Sequence, residues 1–234
     1  MNKDEFRRLL LSKKLTDEDV NIIIKKVWYI IEHPEFKKRL GSDFYHHGKM
    51  TLGQHIIDDM ILVYKYGKKK DVNLDLALKI ALFHDLYTMP WQNNILSKNK
   101  KFTHKHGFTH PIEAVINAYT WFSDDFKNMD DAKILIDGII HHMYPFPVAI
   151  LDNKMTNNLE LNNFSLLKKI PEDVQDIIFD SCNRSRFLHL SWASPKYVEG
   201  KLLSKADLMG SFGEFKSLNG FLALITGKNS SIRK

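Results

Sequence analysis

The run Leu74-Asp75-Leu76-Ala77-Leu78-Lys79-Ile80-Ala81-Leu82-Phe83 leads straight into His84-Asp85, and it limits the possible folds more than any other stretch. Asn73 opens it as a helix reaching about Leu86. That helix is apolar nearly all round, so it is expected to be buried rather than laid on a surface. Its end then carries an imidazole and a carboxylate into the interior, where leaving both without partners would cost several kcal/mol. A metal ion or a dense hydrogen-bond network must answer for them.

The remaining pattern supplies the partners of such a helix. Thr16-Asp17-Glu18-Asp19 reads as a capping box, and Val20, Ile23, Ile24, Val27, Ile30 and Ile31 then recur at helical spacing. This predicts a long helix to about His33, just before Pro34. Thr51 caps a second helix with Ile56, Met60, Val63 and Tyr64 on one side and Gly67 as its stop. Pro111 is placed as the first residue of a helix containing Ala114, Val115, Ala118 and Trp121. Another helix runs from about Asp130 to His142 and ends before Pro145 and Pro147. Residues 151–169 read as an irregular, Asn-rich excursion. Helices resume at Pro171 and near Pro195, the last containing Leu202, Leu203, Ala206 and Leu208 and continuing through Phe221 to Ile225.

No strand-length alternation bounded by hairpin turns is present, so the expected fold is all-α and single-domain. Its parts are an N-terminal helical segment over 1–44, a core over 45–212 and a C-terminal helix and tail over 213–234. Residues 92–109 and 143–165 are longer than loops of a packed domain usually are, which marks them as functional lids or mobile segments.

Composition narrows the class. Hydrophobic residues at 44% and charged residues at 26% match ordinary globular chains, about 45 to 50% and about 25%, which argues against a disordered or fibrous chain. The net charge of +6 suits an anionic ligand. The one cysteine, Cys182, excludes an internal disulfide framework and a Cys-rich zinc or iron–sulfur site. The first residues mix Lys3, Asp4, Glu5, Arg7 and Arg8 with leucines, unlike a secretory leader, and runs such as Val27 to Ile31 fall far short of the roughly 18 apolar residues needed to span a bilayer. A cytoplasmic protein with no membrane partner is expected.

The chain carries 11 histidines among 234 residues, so their placement matters. His33 and His189 read as ordinary surface or core residues. His55, His84-Asp85, His110, His141-His142 and Asp207 fall mostly at helix ends. Imidazole with carboxylate suits Mn, Fe, Co, Ni or Zn, and the absence of thiolate argues against a purely structural zinc. Asp58 and Asp59 follow His55 by about one helical turn: either one of them orients that imidazole, or both belong to a solvated acidic face.

The ordered set His55, His84-Asp85, His110, His142, Asp207 in an all-helical context resembles the HD-domain superfamily of metal-dependent phosphohydrolases. Ala81-Leu82-Phe83-His84-Asp85 is similar to the family's apolar helix ending in HD. His106-Gly107-Phe108-Thr109-His110-Pro111, with Asn117-Ala118, resembles an uncharacterised bacterial subgroup, and the likeness spans roughly residues 45 to 212. The resemblance implies an HD-type helical fold with the metal site in its core. It implies His55, His84, Asp85 and Asp207 around one divalent ion (Mn, Fe, Co, Ni, Zn or Mg) and Asp85, His110 and His142 around a second. His141 stays a candidate, because the family's cyclic-dinucleotide phosphodiesterases carry an adjacent His pair there. Their Gly-Tyr-Pro signature is missing, with Tyr144-Pro145-Phe146-Pro147 in its place, and Tyr87-Thr88 stands where a lysine often follows the HD pair.

The activity implied is hydrolysis of a phosphomonoester or phosphodiester of a nucleotide or related small metabolite. Ions about 3.5 to 4 Å apart would polarise a phosphoryl oxygen and acidify a bridging water, giving hydroxide for the attack. Asp85 is then the central catalytic residue. His47 and His106, both in stretches that match the subgroup, are candidates to protonate a leaving oxygen. Lys100, Lys101 and Lys105 between the HD pair and His110, with Lys205 near Asp207, are candidates to bind phosphate. Trp91, Tyr87, Tyr144 and Phe146 either stack on a base or belong to the core. The alternative is a regulatory HD domain that binds metal and nucleotide without turnover. Lys68-Lys69-Lys70 comes with no nucleic-acid-reading motif, so nucleic acid is not the expected partner.

Overall fold

The computed structural model describes residues 1–46, 50–88, 106–146, 148, 164–184 and 193–214. Their regular structure is helical: α1 Lys3–Ser12, α2 Asp17–Ile31, α3 Pro34–Arg39, α4 Leu52–Gly67, α5 Leu74–Phe83, α6 His106–Trp121, a 3₁₀ turn Ser123–Phe126, α7 Met129–Ile140, α8 Phe164–Leu167, α9 Glu172–Arg184 and α10 Val198–Glu214. The one extended feature described among these residues is an antiparallel bridge between Tyr45 and Thr51. Among them, no helix is long and apolar enough to cross a membrane.

Local chemistry starts these helices where the sequence indicates. Thr16 Oγ1 accepts from the Asp19 amide and Asp19 Oδ2 accepts from the Thr16 amide, both at 3.1 Å, closing the capping box of α2. Thr51 and Gln54 make the same exchange at the start of α4, and Asn73 Oδ1 accepts from Asp75 and Leu76 at the start of α5. As its composition requires, α5 is central: α2, α4, α6, α7 and α10 all pack on it. Leu78, Ile80, Ala81, Leu82 and Phe83 are fully buried there. Phe6, Val27 and Ile30 of α1 and α2 join the same apolar core as Phe83.

Two helix ends differ from expectation. Gly67 is the last helical residue of α4 and not a left-handed stop, since Lys68 closes the helix at φ −60. Its lack of a side chain serves packing instead, because a Cβ there would lie 2.8 Å from Leu74. Pro111 lies inside α6 and does not open it. Proline removes only the amide that would reach Gly107, and side chains hold the extra turn: His110 Nδ1 lies 2.9 Å from the His106 carbonyl, toward which Thr109 Oγ1 also donates. Residues 89–105, 147, 149–163 and 215–234 lie outside the described residues, and with them most of both long loops and the helix expected through Phe221 to Ile225.

A close approach brings three site-bearing elements together. A Cβ on Gly200 of α10 would fall 2.8 Å from the Gly138 Cα of α7, and one on Gly138 would fall 2.8 Å from Ile80 of α5. With no side chains in the way, the C-terminal parts of α5 and α7 meet the first turn of α10.

Candidate metal centre

Five elements deliver polar side chains to one buried point: His55 and Asp59 from α4, His84 and Asp85 beyond α5, His110 from α6, His142 beyond α7 and Asp207 from α10. All seven are buried. His55 Nε2 lies 3.3 Å from Asp59, 3.5 Å from Asp207 and 3.8 Å from Asp85 Oδ2. His84 Nε2 is 3.6 Å from the same Asp85 oxygen and 3.8 Å from Asp59. The other oxygen of Asp85, Oδ1, faces His110 Nε2 at 3.2 Å and His142 Nε2 at 3.6 Å. One carboxylate thus stands between two sets of imidazoles.

The backbone fixes how these rings present themselves. Nδ1 of His84, His110 and His142 lies 2.8, 2.9 and 2.7 Å from the carbonyls of Ala81, His106 and Ile139. A carbonyl oxygen only accepts, so each Nδ1 carries a proton, and each ring in its neutral form turns its Nε2 lone pair inward. The His110 and His142 Nε2 atoms are 3.0 Å apart. Two lone pairs at that distance repel unless a proton or metal ion lies between them. His84 Nε2 is buried and makes no hydrogen bond among the described residues.

The electrostatics agree with this picture. Burial pushes the His84 and His142 imidazoles down, His142 to about 3, so both are neutral electron-pair donors. Burial pushes the Asp85 carboxyl up, but His84, His110 and His142 around it hold it well below the usual range. Asp207 is likewise lowered against the effect of burial, chiefly by its hydrogen bond with His55. For His110, burial pulls downward and the Asp85 carboxylate more than restores the proton affinity, leaving it raised. Nitrogen and carboxylate oxygen atoms of His55, Asp59, His84 and Asp207 lie within 4.8 Å of one another, as do those of His84, Asp85 and His142. These donors suit a divalent first-row ion.

A small cavity, with about 40 Å³ open to the centre of a water-sized sphere, lies against the cluster. Asp85, His110, His142 and Asp207 line it together with Met143, Tyr144, Phe146 and Leu208. Tyr87 and His106 also reach it, in edge-to-face contact at 4.7 Å, and His106 stacks on His110 at 4.9 Å. Burial, reinforced by Asp85, pushes the Tyr87 phenol well above its ordinary value, so it remains protonated.

The candidates named from sequence divide clearly. His55, His84, Asp85, His110, His142 and Asp207 meet, and His106 borders the cavity. His141 does not join them: its Nε2 turns to Ser181 Oγ of α9 at 3.3 Å. Adjacent residues at a helix end point different ways, so the turn that aims His142 inward aims His141 at α9. Lys205 also lies elsewhere. Two residues before Asp207 on a helix is about 200° round the axis, and its Nζ sits over the Tyr66 ring at 5.4 Å. His47, Lys100, Lys101, Lys105 and Trp91 fall outside the described residues.

Sequence reasoning missed His46 and left Asp59 undecided. Asp59 lies four residues after His55 and shares its face, while Asp58 faces outward to Lys13 at 2.6 Å. His46 stacks on His55 at 4.0 Å, and its Nδ1 is 3.9 Å from Asp85 Oδ2. Its only signal was the step before α4, where the Tyr45–Thr51 bridge folds the chain back over the helix it enters. Compared with family models, curated proteins and solved structures, the chain matches none.

Proposed function

We propose that this chain is an HD-type metal-dependent phosphohydrolase that cleaves a phosphomonoester or phosphodiester of a nucleotide or related small metabolite. The observation that carries the reading is the division of the Asp85 oxygens between His55 and His84 on one side and His110 and His142 on the other. His55, His84, Asp85 and Asp207, with Asp59 beside them, would hold one ion; Asp85, His110 and His142 would hold a second. A divalent ion bound there supplies Lewis acidity toward a phosphoryl oxygen and acidifies water. The chain's own groups orient these donors through the carbonyls of Ala81, His106 and Ile139, and a substrate would approach them through the cavity alongside. His106, on the cavity wall, is placed to exchange a proton with a leaving oxygen.

The test is metal analysis of the purified protein, followed by a phosphatase and phosphodiesterase panel in Mn, Co, Ni and Mg. Bound metal with turnover of a phosphoester is the expected result. Bound metal with no turnover of nucleotides, dinucleotides or cyclic dinucleotides favours a regulatory metal-binding domain. A protein that takes up none of these ions loses both readings.

A further inference from the structure

The turn that follows Asp85 is held far more firmly than its length requires. The Arg39 guanidinium, 1% exposed, donates to the carbonyls of Tyr87 and Glu35, and it lies over the rings of Trp121 at 4.8 Å and Phe44 at 5.2 Å. Glu113, also buried, accepts the Thr88 amide at 2.8 Å, and Asn117 Nδ2 donates to the Leu86 carbonyl at 2.6 Å. A guanidinium and a carboxylate taken out of water carry a heavy desolvation penalty. Here they clamp Tyr87 and Thr88, with Asn117 holding Leu86, and the metal centre uses neither charged group.

What the clamp positions is Tyr87. Its side chain is buried against the cavity, and its hydroxyl lies 3.3 Å from His46 Nδ1. That imidazole is in turn beside Asp85 Oδ2. A hydroxyl both accepts and donates, so it can accept from His46 Nδ1–H and direct its own proton into the cavity. No lysine or arginine is among the described residues that line this cavity. Among the described residues, the donors that an oxyanion next to the metal centre would meet there are hydroxyl and imidazole groups.

We propose that the Tyr87 hydroxyl, backed by His46, binds a phosphoryl oxygen of the ligand beside the metal centre, and that Arg39, Glu113 and Asn117 are positioning residues for it. This rests on the phosphohydrolase reading. Hydrogen bonds to charged acceptors are stronger than neutral ones, so Tyr87→Phe, which keeps the ring, weakens binding of inorganic phosphate to the metal-loaded protein by about tenfold or more. Metal content stays at the wild-type level.

The measurement is calorimetric titration of orthophosphate into metal-loaded wild type and Tyr87→Phe, with metal content read in parallel. Equal affinities overturn the inference, as does loss of metal in the variant, which would make the phenol part of the metal site. A second readout needs no substitution: in wild-type protein carrying ¹³C-labelled tyrosine, orthophosphate shifts the Tyr87 Cζ resonance, and an unmoved resonance overturns the inference. The activity panel judges the phosphohydrolase reading separately, because turnover by the wild type with no effect at Tyr87 leaves that reading standing.

Discussion

His141 and His142 are neighbours in one turn, yet they serve two buried polar clusters of opposite character. Beside His141, Asp137 accepts the Lys196 amide at 2.7 Å and pairs with the Arg184 guanidinium, while Ser181 occupies the imidazole. This patch carries its own cation and ties α7 to α9 and to the approach of α10. Beside His142, Asp85 pairs among the described residues with imidazoles alone. A buried carboxylate next to a histidine is therefore no mark of a site by itself. The mark is a set of inward imidazoles and carboxylates with no lysine or arginine paired to Asp85 among the described residues.

Breaking one carboxylate in each cluster gives the largest contrast. Asp85→Ala takes turnover to background and strips the metal, while leaving helicity nearly intact. Asp137→Ala leaves Arg184 and the Lys196 amide short of an acceptor, which lowers stability by about 1 to 3 kcal/mol and spares the metal content. Metal analysis, circular dichroism and urea unfolding on both variants check this. Equal metal loss in the two would erase the distinction between the clusters.

The histidine pair sharpens the comparison further. His142→Gln weakens metal binding by more than the about 10- to 100-fold typical of an outer-shell change. His141→Gln leaves metal affinity within a few-fold of wild type, as metal titration monitored by calorimetry will read. If the two variants lose affinity alike, His141 is also a ligand.

Acid acts on both regions at once. Burial pushes His141 and His142 each from 6.5 to about 3. Between those values the unfolded chain binds protons that the folded rings refuse. The stability of the metal-free protein is therefore full above about pH 6.5 and falls as pH drops toward 3, by about 1.4 kcal/mol per pH unit for each ring. Urea unfolding at pH 7 and pH 5 measures it, and His141→Gln should remove about half of the slope that these two rings contribute. A flat profile would mean that neither ring is held neutral.

What could be read from the sequence follows the range of the interactions. Thr16, Thr51 and Asn73 cap their helices through neighbours two or three residues away, so those starts are visible in a short window. His84 and Asp85 stood out because a buried helix end with polar groups needs partners, and His55, His110, His142 and Asp207 joined them through the resemblance to the HD-domain superfamily. The start of α6 was hidden, since the side chains of Thr109 and His110 support a turn that Pro111 alone argues against. Asp59 and Asp58 differ only by where the face of α4 falls, and His141 and His142 only by the aim of one turn. Arg39 and Tyr87 are 48 residues apart, and nothing local connects them.

The smallest effect concerns Lys205, which its nearness to Asp207 in sequence had suggested as a phosphate ligand. Helical geometry turns it to the exposed face of α10, where its ammonium meets the Tyr66 ring. Such a contact on the surface is worth about 0.5 to 1 kcal/mol, so Lys205→Ala loses no more than that in urea unfolding. Its KM for any phosphoester the wild type turns over stays unchanged, because the side chain does not reach the cavity. A several-fold rise in KM would mean that α10 turns its other face to the substrate, and with it that Asp207 leaves the cluster. This variant thus tests the register of the helix that completes the metal centre, through a residue that touches none of the ligands.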